Sequence, residues 1–418
     1  MLKKKLDYKW VILGLCFLMN FVCLGFCSGN KGMYLTAVTG ALGIPRSLFS
    51  INDTCRYVSS AVVNLLFGTL TYRYGVRKMT AFGFSALVAS MLLYAFAESL
   101  LFFYLAGMLL GTGLTFTTTT MASSIVRRWF KTNVGTYTGI VFAANGIGTA
   151  LAAQIAAPLI NEPGNPFGYR NSYLVAAMIL AATGILVVLL LRERPANASV
   201  TPVEVKKKTA IWHGLEYKNV KNRLWFYLTL LMVFLTGYSL QGITGVYVAH
   251  MEQVGLSATF VAAIVSGFSL MLTGSKILVG TLFDRKGLRT VLTICQLAAA
   301  AAFLVLAFLG GTGIDMVLAV VFAALYALSL PLETLVVPLI VSDLFGTASY
   351  DKILGIVLCM NYAGYALGAP TVNLCFDAVG TYQPVLIMVS IFMMVSWLIS
   401  LVVLRAAKKQ KEEQMQQG

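Results

Sequence analysis

Charged residues are scarce in this sequence. Asp, Glu, Lys and Arg together make up 11% of the 418 residues, whereas soluble proteins carry about 25% and use them to cover their surface. The shortage argues against a soluble enzyme, a nucleic-acid-binding protein and a disordered chain. The balance is also one-sided, with 31 basic residues against 16 acidic ones and a formal net charge of +15.

Histidine is nearly absent, because the chain contains only His213 and His250. This scarcity excludes a histidine metal site and a histidine proton relay. The seven cysteines show neither disulfide-like nor metal-like spacing, so we expect free thiols. We also find no paired carboxylates and no nucleophile–base constellation. The sequence therefore predicts a protein that is not an enzyme and that has no cofactor.

Long apolar runs are abundant instead. Hydrophobic residues make up 58% of the chain, enough for about twelve membrane-spanning helices of roughly 20 residues each. The sequence predicts an all-α membrane protein with transmembrane helices at about 10–35, 48–71, 79–97, 100–123, 134–160, 171–191, 224–249, 257–282, 288–310, 315–342, 353–377 and 383–405. A polar connector, 192–223, separates an N-terminal bundle of six helices, 1–191, from a C-terminal bundle of six, 224–405. A cytoplasmic tail, 406–418, follows.

The basic residues lie on one side of this predicted topology. Most fall in the two termini, the central connector and every second loop, which the positive-inside rule assigns to the cytoplasm. We therefore predict a multi-pass protein of the cytoplasmic membrane with both termini inside. Because these residues sit in separate loops at the bilayer surface, they do not indicate nucleic-acid binding. The exceptions are Lys31, Arg46, Arg56, Arg170 and Lys276.

A ten-residue segment occurs twice, about half a chain apart. Residues 68–77 read GTLTYRYGVR and residues 280–289 read GTLFDRKGLR, so both follow the pattern G-T-L-x-x-R-x-G-x-R. A repeat at this offset indicates a duplicated six-helix unit. In each copy the first Gly lets two helices approach closely, and the second permits a tight turn. The basic residues would hold that turn at the anionic cytoplasmic surface.

The repeated segment resembles the signature of the major facilitator superfamily, G-x-L-a-D-r-x-G-r-k. The second copy fits this signature, whereas the first has Tyr72 where the family has Asp, which weakens the expected charge lock in that copy. The resemblance implies a secondary transporter with two pseudo-symmetric six-helix bundles that works by alternating access. It also implies gating roles for Gly68, Gly75, Arg77, Gly280, Asp284, Arg285, Gly287 and Arg289.

Three further segments resemble the oxalate–formate antiporter and monocarboxylate transporter families. Residues 128–131 read RWFK and are followed by glycines at 135 and 139 and by the sequence AANG at 143–146. Residues 342–346 read SDLFG, and residues 168–170 read GYR where these families have G-W-R. The resemblance implies that the substrate carries a carboxylate.

Lys276 is the leading candidate for binding that carboxylate. It lies roughly 12 Å from the cytoplasmic turn at 1.5 Å per residue, near mid-depth. The resembling families have a substrate-binding Arg at this position, and the alternative is a lysine that reaches the inner surface. Asn361 stands where the oxalate–formate exchanger has a second cation, and Leu272 stands where monocarboxylate transporters have Asp. The comparison therefore implies a singly charged substrate and no Asp–Arg proton pair.

The remaining candidates each have two interpretations. Lys31 resembles an outer anion site but equally fits an interfacial lysine. Arg56 attracts an anion or forms a local ion pair with Asp53. Glu333, which follows Pro331 near mid-depth, carries a proton or is a neutral side chain bonded to a neighbouring helix. The polar residues that line a cavity or join helices include Tyr34, Asn145 and Asn361.

Taken together, the sequence predicts a monomeric secondary transporter of a small organic anion, a monocarboxylate. We expect proton symport, with Glu333 or Asp53 as the proton carrier. The lipid bilayer is the other expected partner. Anion exchange of the oxalate–formate type is the first alternative. It is weakened because Asn145 and Gly146 are followed by Ile147, whereas superfamily antiporters typically have a G-P pair here. A transporter-derived sensor or another non-transport membrane protein is the second alternative.

Overall fold

The computed structural model is almost entirely helical. It describes residues 8–28, 31–130, 132–160, 162, 164–193, 214–244, 246–310 and 313–417. The single bridge of β type in these ranges joins Gly214 and Gly346. The predicted all-α fold is therefore confirmed. The chain forms two compact units, Met1–Pro195 and Ala196–Gly418.

Unit 1 contains eight helices within its described residues. They are α1 (Tyr8–Cys27), α2 (Lys31–Leu42), α3 (Arg46–Tyr74), α4 (Val76–Phe96), α5 (Leu100–Thr117), α6 (Thr119–Trp129), α7 (Val134–Ile160) and α8 (Gly168–Leu190). α1 packs along α7, and α5 packs against both α3 and α4. The contact between α1 and α7 is very close, since a Cβ added to Gly25 would lie 2.5 Å from the main chain of Gly148.

Two predicted helices of unit 1 are each divided in the structure. The run at 10–35 becomes α1 and α2, because α1 ends at Cys27 and a new helix begins at Lys31. The run at 100–123 is interrupted at Thr118, which has φ −122° and ψ −128°, and α6 then continues to Trp129. The hydroxyls of Thr117 and Thr118 donate to the carbonyls four residues earlier. Such local bonds compete with regular helix geometry, which hydropathy alone does not reveal.

Unit 2 contains the remaining helices, all within its described residues. They are α9 (Tyr217–Val220), α10 (Leu224–Thr244), α11 (Tyr247–Gln253), α12 (Ala258–Ala307), α13 (Asp315–Ser329), a π-turn (Leu332–Val336), α14 (Val337–Phe345), α15 (Tyr350–Val379) and α16 (Gln383–Gln417). α16 continues well beyond residue 405, so the predicted tail is helical through Gln417. α10 packs along α15, and α12 packs along α13 and α16.

The number of long helices agrees with the predicted twelve. Ten helical segments of the described chain are long and apolar enough to cross a membrane. One of them, within α12, consists of two helices, because Gly287 interrupts it with φ 77° and ψ 175°. α3 adds another, since it is 29 residues long but more polar than the rest.

A buried charged pair as the candidate functional site

Lys276 and Glu333 form a buried charged pair inside unit 2. Lys276 lies on α12 and is 5% exposed, while Glu333 lies in the π-turn and is 9% exposed. Packing of α12 against the π-turn brings the ammonium and carboxylate groups into electrostatic interaction. The sequence predicts each residue separately as a candidate and gives Glu333 no cation as a partner. Two such charges are tolerated in an apolar interior because each compensates the other.

The main-chain carbonyl of Glu333, in the π-turn, is hydrogen-bonded by side chains of a neighbouring helix. A π-turn and a preceding proline both disturb the regular pattern of main-chain hydrogen bonds in a helix. The carbonyl of Glu333 instead accepts hydrogen bonds from Asn361 Nδ2 at 2.8 Å and from the Tyr365 hydroxyl at 3.2 Å. Both donors come from α15. Side chains of a neighbouring helix thus supply hydrogen bonds to the main chain at this irregular turn.

The carboxylate of Glu333 is only partly satisfied by protein groups. Tyr365 also forms a hydrogen bond with this side chain. Glu333 Oε2 is buried, and within the described part of the chain it has no hydrogen-bond partner. A buried oxygen of this kind is suited to taking up a proton, since protonation removes the charge that burial penalises.

Close packing of α10 against α15 fixes the position of Asn361. A Cβ added to Gly237 of α10 would lie 2.5 Å from Asn361 Oδ1. Likewise, a Cβ added to Gly364 would lie 2.5 Å from the Phe234 carbonyl oxygen. Asn361 Nδ2 also donates to the Tyr365 hydroxyl at 3.0 Å. Asn361, which the sequence predicts either to line a cavity or to join helices, lies at a helix interface and bonds the π-turn.

Tyr365 is not among the site residues predicted from the sequence. The residue is 7% exposed, lies one helical turn after Asn361 and joins the same hydrogen-bond network. The four-residue spacing on one helix was the available signal. This spacing alone does not identify Tyr365, because the sequence does not show that α15 bonds the π-turn.

The other predicted charged residues, Arg56, Asp53 and Lys31, lie in unit 1. Arg56 is 6% exposed, and its Nη1 donates to Ser28 Oγ at 2.9 Å. Its Nε lies 3.8 Å from Asp53 Oδ1, and the Asp53 side chain is 42% exposed. The local ion pair that sequence analysis considered is thus present in the structure. The side chain of Lys31 lies outside the described part of the structure.

Tyr34 lies in an aromatic cluster of unit 1, whereas Asn145 contacts its own helix. The Tyr34 hydroxyl is 2.7 Å from Ser172 Oγ, and its ring stacks on Tyr173 at 4.3 Å between centroids. Tyr173 stacks in turn on Tyr94. Asn145 is half-buried and accepts a hydrogen bond from Thr149 at 3.3 Å. The structure does not place Asn145 in this aromatic cluster.

The two copies of the repeated segment form the same kind of turn. Gly75 separates α3 from α4 with φ 81°, and Gly287 interrupts α12 with φ 77°. Only glycine adopts this left-handed region readily, so the second glycine of each copy is required by the backbone. The first glycine of each copy, at 68 and 280, is buried.

The charged residues of the two copies differ. In the first copy the Arg77 guanidinium donates to the Val188 carbonyl at 2.6 Å, and its main-chain N–H donates to Glu193 at 3.4 Å. Tyr72, in the position of the missing Asp, is 94% exposed. In the second copy Asp284 is half-buried, while the side chains at 285 and 289 are exposed.

Known proteins share this architecture. The sequence profile of the Major Facilitator Superfamily matches residues 15–341 and 229–417, which together cover most of the chain. The chain belongs to the major facilitator superfamily. The expectation drawn from the repeated segment is therefore confirmed at the level of the superfamily, and the protein is a multi-pass membrane protein and a transporter of this superfamily.

Individual members of the major facilitator superfamily are similar to this protein over nearly its whole length. The uncharacterized MFS-type transporter YcxA of Bacillus subtilis (strain 168) is 24% identical over 414 residues, 97% of each chain. The E. coli fucose:proton symporter FucP has a TM-score of 0.72 at 16% identity, over 95% of this chain and 99% of that one. The proton:xylose symporter XylE has a TM-score of 0.73 at 13% identity, over 94% of each. At such identities the solved structures establish the shared fold.

Proposed function

We propose that this superfamily transporter carries a small organic anion, a monocarboxylate, together with a proton across the cytoplasmic membrane by alternating access. The observation that carries the proposal is the buried pair of Lys276 and Glu333 in unit 2. Ionisable groups within membrane-spanning helices are costly and mark substrate or ion pathways.

Lys276 supplies the positive charge for the substrate carboxylate. An ammonium group is a compact point charge and lacks the two-pronged geometry of arginine. Asn361 and Leu272 add no further charge at the positions where the resembling families have a cation and an acid. A site with one cation favours a substrate with one carboxylate.

Glu333 couples this binding to a proton. In its ionised form the Glu333 carboxylate competes with the substrate for Lys276, and protonation removes that competitor. By linkage, the bound anion also favours protonated Glu333. Coupling free energies between such sites are typically about 1–3 kcal/mol, or roughly 5–150-fold in affinity. Anion and proton would then be taken up and released together.

Several other features support this proposal. FucP and XylE are proton symporters, so proton coupling is established on this fold. Glu333 is a better proton carrier than Asp53, because the Glu333 side chain is buried whereas the Asp53 side chain is 42% exposed. In unit 1, Arg56 and Lys31 would attract the anion. The one-sided basic loops support a topology with both termini in the cytoplasm, and the repeated turns would act as gates in a monomeric transporter.

Uptake by proteoliposomes tests the proposal directly. Purified protein should accumulate labelled small monocarboxylates when the outside is acidic, and Lys276→Ala should reduce uptake by about 100-fold or more through loss of the carboxylate's counter-ion. Lys409→Ala is the matched control, since Lys409 is an exposed lysine near the end of α16. Wild-type uptake by both Lys276→Ala and Glu333→Gln would refute the proposal.

A second measurement separates symport from anion exchange. Glu333→Gln imitates the protonated side chain, so it should exchange labelled for unlabelled carboxylate at symmetric pH but lose accumulation driven by a pH gradient. If the wild-type protein shows exchange only, with no response to a pH gradient, the exchange alternative replaces symport.

A further inference from the structure

The Tyr365 hydroxyl has more partners than it has protons. It accepts a hydrogen bond from Asn361 Nδ2 at 3.0 Å, donates to the Glu333 carbonyl at 3.2 Å, and also bonds to the Glu333 side chain. A phenolic hydroxyl has one proton to donate and lone pairs that accept. Its single proton must therefore be directed to one of the two Glu333 groups at a time.

When Glu333 is ionised, Tyr365, Asn361 and Glu333 can adopt a first arrangement of hydrogen bonds. The Tyr365 proton points to the carboxylate, which accepts but cannot donate. The main-chain carbonyl of Glu333 keeps its shorter bond, at 2.8 Å, from Asn361 Nδ2. The Tyr365 hydroxyl, the Glu333 carbonyl and one oxygen of the carboxylate then have partners, while Glu333 Oε2 has none within the described residues.

When Glu333 is protonated, the same groups can be completed in a second way. The carboxylic acid donates its own proton to the Tyr365 oxygen. The Tyr365 proton turns to the Glu333 carbonyl, where Asn361 already donates. No proton leaves the network in this rearrangement, so the proton on Glu333 is the only one gained or lost.

We propose that Tyr365 is a positioning residue that satisfies Glu333 in both protonation states by redirecting its hydroxyl proton, with Asn361 as the fixed donor. This inference rests on the proposed role of Glu333 as proton carrier. Leaving a buried polar group unpaired costs about 1–3 kcal/mol, and more for a charged one. Without the hydroxyl, the ionised carboxylate loses a donor, and proton release becomes less favourable.

The charged and titratable groups around Glu333 are few. α12 contributes Lys276, α15 contributes Tyr365, and the Tyr326 side chain of α13 interacts electrostatically with Glu333. α10 and α14 also pack against the π-turn. α10 contains no charged residue, and the one in α14, Asp343, follows Glu333 by ten residues in sequence. Apart from Lys276, Tyr365 is therefore the main polar influence on the carboxylate.

The decisive variant is Tyr365→Phe, which removes one oxygen and keeps the ring. We expect the pH at which substrate uptake is half-maximal to rise by about one unit, because the lost bond stabilises the ionised form. Substrate binding at acidic pH should stay within about twofold of wild type. Tyr247→Phe is the matched control, because Tyr247 is equally buried and its hydroxyl forms no hydrogen bond within the described residues.

A double variant separates this role from a purely structural one. On a Glu333→Gln background, Tyr365→Phe should leave the pH profile unchanged, whereas a structural role would lower uptake equally on both backgrounds. An unshifted Tyr365→Phe profile, with pH-gradient coupling lost in Glu333→Gln, would overturn this inference alone. Gradient-driven accumulation by Glu333→Gln would overturn the proposed proton carrier and this inference with it.

Discussion

Two charged pairs among the described residues, one in each unit, are built in different ways. In unit 1, Asp53 and Arg56 are three residues apart on one helix, and the Asp53 side chain is 42% exposed. In unit 2, Lys276 and Glu333 come from separate helical elements, and both are buried. The local pair has one buried partner, Arg56, and one partly exposed partner, Asp53, and it forms without any packing between helices. A buried pair that depends on tertiary packing is expensive, and such a pair inside membrane-spanning helices is a candidate functional group.

The largest effect should come from breaking the buried pair. Lys276→Met leaves the Glu333 carboxylate buried without its cation and should lower the free energy of unfolding by about 3–5 kcal/mol. The double variant Lys276→Met with Glu333→Gln should recover most of this loss, while still failing to bind carboxylates. Thermal unfolding of the purified proteins measures both. Equal stability of the single and double variants would show that the two charges do not compensate each other.

An intermediate effect should come from disturbing the support of the buried pair. Gly237→Ala places a methyl group 2.5 Å from Asn361 Oδ1 and should destabilise the protein by about 1–3 kcal/mol through overpacking. Because Asn361 bonds the Glu333 carbonyl, proton-driven uptake should fall as well. Gly267→Ala is the control, since a Cβ there meets nothing within 4 Å. Unfolding and uptake that match this control would argue against a role for the α10–α15 contact.

The smallest effect should come from the local pair. Asp53→Asn removes a partly exposed charge that lies 3.8 Å from Arg56, and Arg56 keeps its bond to Ser28, so the change in stability should be about 0–1 kcal/mol. Gradient-driven uptake should change by less than about threefold, as measured in the same proteoliposomes. Loss of proton coupling in this variant would reverse the comparison and make Asp53 the proton carrier.

Hydropathy and the positions of the charges allowed much of the fold to be predicted. Long apolar runs must become helices in a membrane, because the bilayer offers no other partners for main-chain groups. The superfamily followed from residues 68–77 and 280–289, whose glycines are required by a positive φ at Gly75 and Gly287. The interruption at Thr118 was not predictable in the same way, since it depends on side-chain bonds within an otherwise apolar helix.

Part of the candidate site was likewise predictable from the sequence, and part was not. The sequence by itself identified Lys276 and Glu333, because a charge inside an apolar run is conspicuous and costly wherever the helix packs. Helix packing determines that these two charges meet and that Asn361 and Tyr365 bond the π-turn, and the structure shows that Arg56 is paired locally with Asp53. The physical reason is that burial depends on composition, which the sequence displays, whereas pairing depends on which helices pack together.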